Sequence, residues 1–141
     1  MKPLVLLLLG VSITGVACSS PVQPDTMRVR QVQGQWAYTA VGAPGTVVDG
    51  ALMITRQQGA SVSGSLEARE SLPTGEVRSA SGLVAGQVVR DSILEFDVIL
   101  GADRTRRHVG VLSGDSVVGN WLEATAVRVI ASGTFRARRK Q

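Results

Sequence analysis

From Gly34 onward the chain alternates apolar stretches of about seven to ten residues with short turn signals, and this spacing restricts the fold more than any other feature. Eight stretches read as strands, at residues 36–41, 51–57, 61–69, 77–89, 92–100, 105–112, 117–124 and 127–138. The connections carry turn residues: Pro44-Gly45 with Asp49-Gly50, Gln58-Gly59, Pro73-Thr74-Gly75, Arg90-Asp91, Ala102-Asp103, Gly114-Asp115 and Thr125-Ala126. Parallel neighbours need a crossover of a dozen residues or more, so links this short impose antiparallel pairing. The expected fold is all-β, an eight-stranded antiparallel up-and-down barrel that closes on itself and leaves no exposed edge. A two-sheet β-sandwich is the alternative.

Composition agrees with strands. Hydrophobic residues make up 44% of the 141 residues, aromatic residues only 4%, and glycine occurs 16 times. Valines such as Val84, Val88, Val98, Val109, Val111, Val117 and Val118 suit a pleated sheet. Gly64, Gly82, Gly86, Gly110, Gly119 and Gly133 fall inside the strands, where glycine marks bends and bulges. With one cysteine and one histidine, the chain offers neither an internal disulfide framework nor a Cys- or His-rich metal site.

The N-terminus has Lys2, an apolar run from Leu4 to Leu9, and the small residue Ala17 before the sole cysteine, Cys18. Too short to span a bilayer, the run follows the secretory pattern, so residues 1–17 read as a signal peptide. Ala17-Cys18 resembles the bacterial lipobox, and the resemblance implies that Cys18 is acylated and anchors the mature chain to a membrane. Ser19 stands where an Asp would signal inner-membrane retention, which implies the outer membrane. The alternative is a secreted protein whose Cys18 is incidental. Residues 18–33, rich in Ser, Pro and Gln, read as a flexible tether, and residues 34–141 as the barrel domain.

Gly34-Gln35-Trp36 at the start of the first strand resembles the G-x-W signature of lipocalins, and the order of short strands is similar to avidin and other small calycin barrels. The resemblance implies that Trp36 closes one end of the barrel beneath an arginine, here Arg136 or Arg138, and that the barrel binds a small hydrophobic ligand. Biotin is not implied, because only Trp36 and Trp121 are present.

Setting Ala102-Asp103 as a hairpin loop pairs Phe96 with Val109, Leu94 with Val111 and Asp97 with His108. Setting Gly114-Asp115 as the next pairs Val111 with Val118, His108 with Trp121 and Arg106 with Glu123. One face then gathers Leu94, Phe96, Val98, Val109, Val111, Val118 and Leu122. The other gathers Glu95, Asp97, Arg106, His108, Trp121 and Glu123. Burying the apolar face is favoured by about 25 cal/mol per Å², so the charged face is expected outside the barrel and non-catalytic. The inverse, with Asp97, His108 and Trp121 lining a polar pocket, stays open.

Neither Ser113 nor Ser116 sits in a nucleophile elbow, and no phosphate loop, dinucleotide fingerprint or His-Glu-x-x-His motif occurs. No catalytic residue, metal ligand or cofactor is therefore assigned, and the chain is read as a non-enzyme. Its net charge of +4 is concentrated in Arg136, Arg138, Arg139 and Lys140, but an envelope address argues against nucleic acid as a partner. Two readings remain: a membrane-anchored module for a small hydrophobic ligand, or a surface-binding inhibitor of an envelope protein or protease.

Overall fold

The computed structural model describes residues 28–141; Cys18 and the signal peptide expected at residues 1–17 lie outside the described residues. Nine strands follow in order: β1 Gly34–Gly42, β2 Thr46–Gln58, β3 Ser61–Ser71, β4 Val77–Ser79, β5 Gly82–Val89, β6 Ile93–Ile99, β7 Thr105–Ser113, β8 Ser116–Ala124 and β9 Val129–Arg139. All pairs are antiparallel, and β1 pairs with both β2 and β9, so the meander closes into a barrel. Strands β4 and β5 share one of its eight places, since both pair with β3, at Arg69–Ser71 and Ser61–Leu66 respectively. The eight-stranded antiparallel barrel expected from the spacing is therefore the fold.

The single strand expected at 77–89 is interrupted by Ala80 and Ser81. There the Ala68 N–H donates to Ser81 Oγ at 3.0 Å, so a side chain replaces a ladder acceptor. The second strand starts at Thr46, five residues earlier than its apolar content suggested, because Asp49-Gly50 lies within the ladder and not in a turn. Gly50 sits so close to the Glu67 and Ala68 backbone of β3 that no Cβ would fit there.

The barrel has two unlike ends. The chain enters and leaves at one, with the turns 59–60, 90–92 and 114–115; we call it the terminal end. Longer connections at 43–45, 72–76, 100–104 and 125–128 form the opposite, loop end. Trp36 plugs the terminal end, 1% exposed, its indole N–H donating to Val32 O at 2.9 Å. An arginine does cover it, but this is Arg139, whose guanidinium carbon lies 4.7 Å from the ring centroid. The expectation of Arg136 or Arg138 fails on strand parity: Phe135 and Ala137 point inward, so Arg136 and Arg138 face solvent. Residues 30–33, in the segment read as a tether, pack on this end. Val32 is fully buried and Arg30 donates to Leu112 O and Gly114 O.

Side chains fill the interior: Tyr38, Leu52, Ile54, Leu66, Leu94, Phe96, Val98, Val117, Trp121 and Phe135 are each at most 3% exposed.

Candidate functional site

The face expected outside is largely inside. The β7–β8 hairpin has the anticipated register, with His108 opposite Trp121 and Arg106 opposite Glu123. The β6–β7 hairpin does not: Phe96 is opposite His108, Leu94 opposite Gly110, and Asp97 opposite Arg107. The connection is the five-residue stretch 100–104, pinned by Leu100 N–H donating to Arg104 O at 2.9 Å, and not a tight turn at Ala102-Asp103. A one-residue slip moves every β7 side chain to the other face. Leu94, Phe96 and Val98 still point inward, but Arg106 and His108 point inward with them, as do Trp121 and Glu123. Val109, Val111, Val118 and Leu122 are exposed. Of that face, Glu95 and Asp97 stay outside, the Asp97 carboxylate 4.0 Å from Arg107 Nε.

Two features make this inversion tolerable. His108 serves as an aromatic filler. Its ring stacks on Phe96 with centroids 4.3 Å apart and meets Phe135 edge-on at 5.0 Å. Its Nδ1 lies 3.1 Å from Arg106 O, which can only accept, so Nδ1 carries the proton and Nε2 accepts from the Tyr38 hydroxyl at 2.8 Å. Burial, aided by the charge of Arg106, lowers the His108 pKa to about 3 and keeps the ring neutral. Burial also raises Tyr38 above the ordinary phenol range.

The charges, for their part, are mutually paired near the loop end. Arg106, fully buried, donates from Nη2 to Glu70 Oε1 at 2.9 Å and from Nε to Glu123 Oε2 at 3.0 Å. Arg104 holds the other Glu123 oxygen, its Nε at 2.8 Å, and Arg78 holds the other Glu70 oxygen. The result is an unbroken chain, Arg78–Glu70–Arg106–Glu123–Arg104, whose outer guanidinia reach solvent while the inner three residues are at most 2% exposed. Burial would lower the Arg106 pKa, but its hydrogen bonds to Glu123 and the charges of Glu123 and Glu70 outweigh it and the pKa is raised. Burial would raise that of Glu123, but the hydrogen bonds from Arg106 and Arg104 win and it is lowered.

Trp121 completes the group. The Arg106 guanidinium carbon sits 4.5 Å from its ring centroid, and its indole N–H is shared between Val41 O and Thr134 O at 3.2 Å each. Its benzenoid edge occupies the space that a side chain at Gly42 would take. Arg106 Nη1 is buried without a hydrogen-bond partner among the described residues.

Glu70, Arg78 and Arg104 were missed by pattern reading. Glu70 lies 36 positions from Arg106 in sequence, and only the inward parity of β3 residues Leu66, Ala68 and Glu70 hinted at it.

The barrel class is shared with known structures. EF1p2_mFAP2b bound to DFHBI matches with a TM-score of 0.59 at 13% identity, over 77% of this chain and 93% of that one. The redesigned β-barrel mFAP1 bound to DFHBI matches with a TM-score of 0.57 at 16% identity, over 76% and 94%. The bradavidin2–biotin complex matches with a TM-score of 0.51 at 14% identity, over 79% and 100%. At these identities the likeness is one of fold. No family model matches the chain, and no curated protein matches it in sequence.

Proposed function

We propose that the chain is a non-catalytic binding module of the bacterial cell envelope, anchored, in the outer membrane, by acylation of Cys18, and that it reads a small carboxylate-bearing ligand at the loop end. The observation that carries the ligand reading is the buried ion chain, which holds three guanidinia against two carboxylates and leaves Arg106 Nη1 without an acceptor among the described residues. Barrels of this fold bound to biotin and DFHBI lend support. The ligand class differs from the hydrophobic one implied by the lipocalin-like start, because an apolar molecule inside would displace packed rings and disrupt the buried ion pairs. A ligand held over the loop end needs neither.

Native purification followed by extraction and mass spectrometry tests this reading. A small acid should co-purify and be lost from the Arg78→Gln/Arg104→Gln double variant, whose substituted residues are partly exposed. An apolar lipid retained equally by both proteins would refute it. The filled interior favours a second reading, a surface-binding inhibitor or interaction protein for an envelope protein or protease. Stoichiometric capture of such a protein without a small molecule would favour it. The anchor is tested separately by clickable palmitate, which should label the wild type and not Cys18→Ala.

A further inference from the structure

The described residues carry an excess of exposed positive charge at the terminal end. Arg28, Arg56, Arg90, Arg138 and Lys140 are exposed there, accompanied by Arg30 and Arg139, against Asp91, Asp115 and the half-buried Glu95. They come from both ends of the described residues, from the last residues of β2 and from the turn after β5, and only barrel closure brings them together. Two of the seven have structural duties. Arg30 ties the entering chain to the β7–β8 turn, and Arg139 covers Trp36, donates to Gln31 O and Gln33 O, and approaches Asp115 at 3.7 Å. The other five have no ion-pair partner among the described residues. Elsewhere on the barrel acidic residues offset the basic ones, as in the loop-end chain and the Asp97–Arg107 pair.

We infer that the terminal end is a docking face for an anionic phospholipid surface, and that it holds the barrel upright with the loop end directed away from the membrane. The position of the face selects this occupant. The chain enters at this end, and Arg28 lies ten positions after Cys18, a reach of at most about 35 Å. A membrane anchor at Cys18 would therefore keep this face near headgroups. The orientation rests on the anchor proposed above; the charge contact does not. Each basic residue close to an anionic surface raises partitioning about fivefold, and the effect fades beyond a Debye length.

The test uses residues 18–141, the mature chain proposed above, carrying Cys18→Ser, so that neither an acyl group nor the apolar run Leu4–Leu9 contributes, in co-sedimentation with vesicles of phosphatidylcholine alone or with about one-third phosphatidylglycerol. The expected result is preferential binding to the anionic vesicles that collapses between about 0.1 and 0.5 M salt. The triple variant Arg28→Gln/Arg138→Gln/Lys140→Gln should lose at least about tenfold in partitioning. Arg69→Gln/Arg107→Gln/Arg128→Gln removes the same charge elsewhere and should stay within about twofold. Equal binding to both vesicles, an equal loss in both triple variants, or tighter binding to duplex DNA through the same residues would overturn the inference. Absence of palmitate at Cys18 with anionic binding intact would remove the anchor and leave the docking face standing.

Discussion

Replacing Arg106 by Met tests whether the ion chain holds the barrel together. Methionine keeps an unbranched side chain beside Trp121 but removes the guanidinium between Glu70 and Glu123, which are 2% and 1% exposed. Breaking a buried ion pair by deleting one partner costs about 3–5 kcal/mol, because the other charge stays desolvated. Here each carboxylate keeps one guanidinium, Arg78 on Glu70 and Arg104 on Glu123, and both are partly exposed and screened by water. The expected loss is therefore at the lower end, about 3 kcal/mol, still a large share of the 5–15 kcal/mol typical of a domain. Urea denaturation at pH 7 would show it as a shift in midpoint with an unchanged slope. Replacing Glu70, Arg106 and Glu123 together by apolar residues of similar volume should recover most of the loss, since the only charges left without partners, Arg78 and Arg104, are partly exposed and solvated by water. As a control, Arg107→Met removes an exposed partner 4.0 Å from Asp97 and should stay within about 0.5 kcal/mol. A loss under about 1 kcal/mol for Arg106→Met would refute the reasoning, because the bridge would then be behaving as a surface pair.

His108 should make the barrel acid-sensitive. Its pKa falls from 6.5 to about 3 on folding, so between these values the unfolded chain binds the extra proton and stability drops by up to about 1.4 kcal/mol per pH unit as pH falls. Glu123, whose pKa is also lowered, contributes stability above its unfolded value that is lost at lower pH. Denaturant melts from pH 7 to 5 should therefore flatten in His108→Phe while the loss at more acid pH persists. Trp36→Ala empties the plug beneath Arg139 and should cost about 3–5 kcal/mol by urea melt; a loss below about 1 kcal/mol would mean that the ring is not a structural anchor. At Gly64 an added Cβ would lie 1.8 Å from Met53 O, opposite the irregular register at Ile54 and Arg56. Gly64→Ala should lower stability by about 1–3 kcal/mol, and thermal melts unchanged from wild type would contradict the close approach.

How far the sequence could be read depended on the range of the interaction involved. The strand meander, its closure and the β7–β8 register were legible, because short turns such as Gly114-Asp115 tie neighbouring strands with little freedom. Trp36 as an end plug was legible from Gly34-Gln35-Trp36, but its cover was off by one to three residues because strand parity puts Arg136 and Arg138 outside and leaves Arg139 at the rim. The inward placement of Arg106, His108, Trp121 and Glu123 was not legible. Weighed strand by strand, four aliphatic side chains on the opposite face favour burial over charge. That weighing reverses only when Glu70 arrives from β3 and Phe96, Phe135 and Tyr38 enclose the imidazole, partners supplied by distant parts of the chain. Periodicity determined which side chains of one strand share a face, since alternation is a property of the strand itself. Which face turns inward was decided by closure of the barrel, because a buried charge is tolerable only where its counter-charges converge, and convergence is a tertiary property.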